Sequence, residues 1–316
     1  NVWIAYGWMI DDLSLFEIPA NLMAIENAVT GGFWVDYQNY VGSGQDAIYG
    51  LDYSVTPVDQ VAVRPFSCEA VIKNIGASPQ SAVLKYDVTG PATYSGSSVA
   101  TVLAGSDSAI VAAIPTFSPG VGQYTVEMWA EADSAGAGII TTMSDIVTKN
   151  IEVSPYLYGK DEGAATGART IGGPDDQNEI TTRFEIYANA DLTALRVFID
   201  DESVVGASIY AILYESDTTA ANNLLYLNQS DDYAITAQDR GNWVDIPFFS
   251  PIPLFAGYVY EFGVGGYQHP TQESKLGMTA NPALYNGEHS LFDVTGVSTQ
   301  SAGTPTWYYI TSTPMV

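Results

Sequence analysis

Apolar and polar residues alternate in short runs along most of this chain, and turn residues break the runs apart. In the first half, candidate strands fall at Leu22–Val29, Val61–Asn74, Ser81–Val88, Ser98–Leu103, Ser108–Ile114, Tyr124–Ala132 and Ile146–Val153. A period of two places successive side chains on opposite faces of a strand. Tyr124, Val126, Met128 and Ala130 can therefore share one face, with Thr125, Glu127 and Glu131 on the other. Trp129 falls on that polar side. Loops such as Gly76-Ala77-Ser78-Pro79 separate the runs, and short strands at such intervals predict an immunoglobulin-like sandwich.

The second half begins with a Gly- and Asp-rich stretch, Gly159 to Asn178, that reads as loop. Strands are then expected at Ile180–Tyr187, Ala194–Ile199, Ser208–Glu215, Asn223–Leu227, Trp243–Pro247, Gly257–Gly263 and Thr306–Thr311. Leu195, Val197 and Ile199 can line one core face. The run Ile209 to Tyr214 is apolar on both faces, which predicts a central strand. No segment sustains a period of 3.6, so helices should be short. The expectation is an all-β chain: a terminal strand at 1–20, an immunoglobulin-like sandwich at 21–154 and a larger jelly-roll-like sandwich at 155–316. The apolar opening segment, Asn1–Glu17, is expected to complete a sheet, either of an upstream domain or of a neighbouring subunit. The chain reads as an internal or processed piece of a longer polypeptide.

Charge narrows the function classes. The 316 residues carry 36 acidic and 10 basic side chains, a net charge of -26. Such a surface repels phosphate backbones and anionic lipid, so neither nucleic acid nor a membrane is an expected partner. No apolar run approaches the ~20 residues needed to span a bilayer. The single cysteine, Cys68, excludes an intramolecular disulfide. It shares a strand face with Phe66, Ala70 and Ile72, which predicts a buried thiol.

Carboxylate clusters are the first candidate chemistry. Asp175-Asp176 lies in a Gly-rich loop and Asp200-Asp201 closes a strand. Calcium takes six to eight oxygens from such loops, so structural Ca2+ is the candidate ion; a solvated turn is the alternative at each cluster. No HExxH pattern surrounds the two histidines, and no GxSxG elbow or phosphate loop occurs. The chain is therefore expected not to be an enzyme. Tyr267, Tyr285 and Trp307 could stack on sugar rings or simply pack.

Several stretches resemble known families. Tyr6-Gly7-Trp8-Met9-Ile10-Asp11-Asp12-Leu13-Ser14-Leu15 resembles the closing strand of MAM-like jelly rolls. Phe66 to Asn74 with Ile75-Gly76 is similar to a strand and turn of bacterial cell-adhesion immunoglobulin-like domains. Gly206-Ala207-Ser208-Ile209-Tyr210, Gly241-Asn242-Trp243-Val244 and Trp307-Tyr308-Tyr309-Ile310 resemble sandwiches of large proteins exported by the type nine secretion system of Bacteroidota. The resemblance implies an extracellular or cell-surface structural or adhesive protein, filament formation included, with neighbouring subunits or cell-surface glycans as partners. The alternative is a non-catalytic, polysaccharide-binding accessory region of a secreted hydrolase. Asp107-Ser108-Ala109, Asp133-Ser134-Ala135 and Asp217-Thr218-Thr219 resemble O-glycosylation acceptors of that phylum, which implies modification at Ser108, Ser134 and Thr218.

Overall fold

A computed structural model describes residues 18–31, 53–133, 140–161, 163–216, 224–279, 289–294, 304–310 and 312–316. The opening segment Asn1–Glu17 lies outside them. The described chain is nearly all β.

The first half contributes β1 (Met23–Thr30), β2 (Val55–Pro57), helix α1 (Val58–Val63), β3 (Cys68–Asn74), β4 (Gln80–Thr89), β5 (Tyr94–Ser97), β6 (Thr101–Leu103), β7 (Ser108–Ala112), β8 (Gly122–Asp133), β9 (Ile140–Met143) and β10 (Val147–Ser154). One sheet runs β1-β3-β7 and the other β2-β10-β8-β4-β5, with β6 on β4 and β9 on β8. This is an immunoglobulin-type sandwich, three outer strands against a sheet built round the hairpin of its last long strands. The strand β2 pairs parallel with β10, Val55 opposite Glu152 and Pro57 opposite Ser154. Alternation fills the core: Phe66, Cys68, Ala70 and Ile72 from one sheet meet Leu84, Tyr86, Val126, Met128 and Ala130 from the other. Cys68 is buried as its strand position requires, with the Thr30 hydroxyl 3.7 Å from its sulfur. Trp129 on the outer face is half-buried; its indole N–H donates to Glu131 at 2.8 Å, and Glu131 pairs with Lys85 at 3.8 Å.

The second half contributes β11 (Gly167–Gly172), β12 (Asn178–Glu185), β13 (Ala190–Ile199), β14 (Ser208–Ser216), β15 (Leu224–Gln229), β16 (Tyr233–Ala234), β17 (Asn242–Leu254), β18 (Val259–Gly266), β19 (Ser274–Thr279), β20 (His289–Asp293), β21 (Thr306–Tyr309) and β22 (Thr313–Pro314). Its sheets run β11-β19-β13-β17 and β15-β14-β18-β12-β20-β21. The antiparallel pairs β11/β19, β12/β18, β13/β17 and β14/β15 nest inside one another along the chain. That nesting is a long hairpin rolled into two sheets, the jelly roll. Leu195, Val197 and Ile199 line its core, and β14 is the expected central strand, buried on both faces.

Three local expectations are corrected. The stretch Gly159 to Asn178 is not all loop, because β11 lies within it. Gly172 is needed by the fold: a Cβ on it would sit 2.6 Å from the Tyr267 carbonyl oxygen. The run Val61–Asn74 is not one strand, since Val61 to Val63 end α1 and β3 starts only at Cys68. The strand β17 continues to Leu254 through Pro247, Pro251 and Pro253. It is the edge of its sheet on the main strand path, where a missing N–H costs no ladder bond.

Residues 313–316 close the second sandwich. The Met315 N–H donates to the Gly277 carbonyl at 3.0 Å, and its carbonyl accepts from Phe198 N–H at 3.1 Å, so it bridges β19 and β13. The Met315 side chain is fully buried. Met315→Ala should cost about 2–5 kcal/mol. Denaturant unfolding measures the loss, and amide exchange at Ile199 and Leu276 should rise together while Val126 stays protected.

Candidate functional site

Two constellations exceed what a sandwich core requires. The first joins the two halves. Ser54 and Val55 donate their N–H groups to the Gly159 carbonyl, each at 3.0 Å, and this clips the start of β2 to the chain beyond β10. Tyr53, just before, turns its ring out of the first core and into the second, where it packs on Phe184 at 5.4 Å. Its hydroxyl accepts the Glu185 N–H at 3.1 Å. The Lys160 ammonium lies over both rings, 5.2 Å from Tyr53 and 5.0 Å from Phe184, a cation–π contact strengthened by desolvation.

Gln60 makes the second tie. It sits on α1, 1% exposed, and its amide is used up on the opposite half. Oε1 accepts the Tyr187 N–H at 2.8 Å and the Ala188 N–H at 2.9 Å, while Nε2 donates to the Ala188 carbonyl at 2.9 Å. The Arg64 guanidinium covers the Tyr187 ring at 5.1 Å. Beside the Tyr53 tie runs an open groove of about 830 Å³, walled by Tyr53, Gln123, Lys149, Glu152, Lys160 and Asp161 among others.

The second constellation lies on the face of the β14-β18-β12 sheet turned away from the jelly-roll core. Tyr210, Gly265 and Glu179 are opposite one another across three strands. A Cβ on Gly265 would fall 2.3 Å from the Tyr210 ring, so only glycine lets that ring cross. The Tyr210 hydroxyl reaches Glu179 Oε1 at 2.8 Å, and the Tyr214 hydroxyl reaches Oε2 at 2.5 Å. Farther along the same β12/β18 pair, Glu261 accepts from Thr181 at 2.5 Å and from Arg183 at 3.0 Å. Burial pushes the Glu179 carboxyl above its ordinary pKa, against the lowering pull of both tyrosine hydroxyls. The same burial, with the Glu179 charge, pushes both tyrosines up, so they remain donors.

Tyr267 and Trp307 both belong to this face. Tyr267 packs on Tyr210 at 5.1 Å and donates to Asp232 at 2.6 Å. Trp307 meets Tyr214 edge-on at 5.4 Å and stacks on Phe292 at 4.6 Å. Tyr285, Ser134 and Thr218 lie outside the described residues. Ser108 opens β7 and is exposed, its N–H bonded to the Asp107 carboxylate at 2.9 Å.

Asp175 and Asp176 sit on the turn between β11 and β12, where Asp176 accepts from Asn178 at 3.2 Å. Asp200 and Asp201 sit on the turn after β13. Asp200 caps the Glu202 N–H at 3.0 Å, Lys275 pairs with Glu202 at 2.6 Å, and Arg240 donates to the Asp201 carbonyl. Among the described residues no three His, Cys, Asp or Glu side chains converge as a metal-binding group. No described helix is long and apolar enough to cross a membrane.

No known protein family matches the chain, and no curated protein matches it in sequence.

Glu179, Arg183 and Glu261 escaped sequence reasoning, as did Tyr53 and Gln60. A signal did exist. A strand apolar on both faces, such as β14, implies cover on both sides, so polar residues beside it on the second face are buried as well.

Glu179 generates a signed pH prediction. Its folded pKa lies above the unfolded value of about 4.3, so the folded state holds this proton more tightly. The cost of ionising it grows as pH rises from the unfolded pKa through the folded one and is complete above that. Glu179→Gln removes the cost and keeps one acceptor and one donor for the tyrosines. The stability of Glu179→Gln relative to wild type should therefore rise between pH 4 and 7, measured by urea unfolding across pH. Glu179→Ala, which strands two buried hydroxyls, should lose about 2–4 kcal/mol at low pH.

Proposed function

We propose that this chain is a non-catalytic, extracellular pair of modules that acts as a stiff spacer in a structural or adhesive surface protein. The single observation that carries this reading is the double tie at the junction. A flexible linker between catalytic or binding domains needs neither a ring from one half buried in the other nor a buried amide satisfied only across the boundary. Interfaces between domains of one chain are ordinarily loose enough to permit relative motion. Here Tyr53 and Gln60 oppose it.

The β2–β10 pair adds a mechanical argument. Once β1 has been drawn off β3, a force entering at residue 53 and leaving at residue 155 pulls β2 toward its start and β10 toward its end. Because the two strands are parallel, that force shears all their hydrogen bonds together instead of peeling them one by one. The acidic surface keeps such modules apart in solution, so assembly with neighbouring subunits or surface glycans needs specific contacts. Filament formation belongs to the same proposal.

Single-molecule pulling through residues 18 and 316 tests it. The intact chain should show two discrete unfolding events, and Tyr53→Ala with Gln60→Ala should lower the force of the earlier one. The Gln60 change alone orphans three backbone groups and should cost about 2–4 kcal/mol at equilibrium. Equal unfolding forces for the intact chain and the double variant would rule the spacer reading out.

A further inference from the structure

At one end of the polar face a small pocket of about 230 Å³ opens between Ser208, Asp232, Tyr267, His269 and Gln272. It is smaller than the roughly 300–1,000 Å³ of drug-sized sites. Its five residues come from the start of β14, the segment before β16 and the loop between β18 and β19.

The polar atoms of the pocket are set by contacts behind it. Asp232 Oδ1 accepts the Tyr267 hydroxyl at 2.6 Å, which leaves Oδ2 as an acceptor. Tyr267 remains protonated, its pKa pushed up to about 12 by burial and then by Asp232. His269 Nδ1 accepts the Gln272 N–H at 3.1 Å and the Thr271 N–H at 3.3 Å. In a neutral imidazole the proton then sits on Nε2, which becomes a donor. Gln272 adds an amide and Ser208 a hydroxyl. The Tyr267 ring is held from behind by Tyr210.

This set selects a ligand class. No Lys or Arg lines the pocket, and the chain as a whole is strongly anionic, so an anion is disfavoured. Calcium wants six to eight oxygens, and one carboxylate with the side-chain oxygens of Ser208, Tyr267 and Gln272 falls short. A neutral ring bearing adjacent hydroxyls matches this set: its hydroxyls can donate to Asp232 or Ser208 and accept from His269 or Gln272, and its C–H face can lie on Tyr267.

We propose that this pocket binds one neutral sugar unit of a surface glycan, with Asp232, His269 and Gln272 reading its hydroxyls and Tyr267 forming the wall. The site is independent of the junction, so the spacer reading stands or falls separately. Asp232 is exposed and Tyr267, His269 and Gln272 are half-buried, so the sugar enters from solvent.

Saturation-transfer NMR on the full chain tests the site, with methyl α-mannoside, methyl β-galactoside and methyl β-glucoside as probes and methyl β-glucuronide as the anionic control. At least one neutral glycoside should receive saturation, and the His269 ring resonances should shift on titration. Asp232→Ala should weaken that binding at least ~10-fold, the scale of a lost hydrogen bond to a charged group. Gln272→Ala should weaken it less, with the wild-type amide spectrum retained by both variants. The proposal is overturned by saturation of none of the three neutral probes, by binding indifferent to both variants, or by preference for the glucuronide.

Discussion

The segment from Tyr53 to Gln60 has to satisfy two cores at once. Its backbone extends the first sandwich through β2, while its terminal side chains complete the second. A buried amide carries this arrangement because it has no neutral alternative. Once Gln60 is desolvated, its oxygen and nitrogen must find partners, and the Tyr187 and Ala188 backbone supplies two donors to the oxygen and one acceptor to the nitrogen. Sliding or rotating one sandwich against the other would orphan both sides of that exchange, at a cost comparable to a good part of a domain's stability. The aromatic packing of Tyr53, Tyr158 and Phe184 beneath Lys160 then fills the space the amide defines.

A similar logic governs the outer face of the jelly roll. The rolled hairpin places β14 between β15 and β18, and its two-sided apolarity demands cover on the face away from the core. Gly265 supplies the space that the Tyr210 ring needs to cross, and Tyr210 and Tyr214 converge on one carboxylate. The network does not end in the interior. From Glu179 it passes through Tyr210 and Tyr267 to Asp232, where it reaches solvent at the small pocket. A pocket held from behind in this way has its donors and acceptors oriented before any ligand arrives, which lowers the ordering cost of binding.

The charge balance acquires meaning from where the few cations sit. Lys160 and Arg64 lie over aromatic rings at the junction. Arg183 pairs with buried Glu261, Lys275 with Glu202 and Arg196 with Asp245. With much of the scarce positive charge committed to contacts within the chain, the remaining charge is overwhelmingly acidic. That charge favours solubility and disfavours anionic partners.

Strands, buried faces and the central place of β14 were legible in the sequence because alternation is a local property: neighbours two apart report the same face. The all-β class, the core residues of β8 and β13 and the buried thiol followed from that alone. Local pattern failed where the structural cause is remote. The exposed first half of β11 lacks an apolar face to read, and α1 is too short to show a period. The prolines of β17 break a strand by local rules and are tolerated only because the tertiary fold makes it an edge. The functional groups were the least visible. Gln60 meets Ala188 across 128 positions, Tyr53 meets Glu185 across 132, and Glu179 gathers two tyrosines from another strand. Composition set the strongly negative net charge, which disfavours phosphate-rich partners; which acids are buried, which tyrosine crosses a glycine and which residues line a pocket was decided by how the hairpin rolls. Burial changes the chemistry of a polar group only when a distant part of the chain removes its water, and no window along a sequence contains that event.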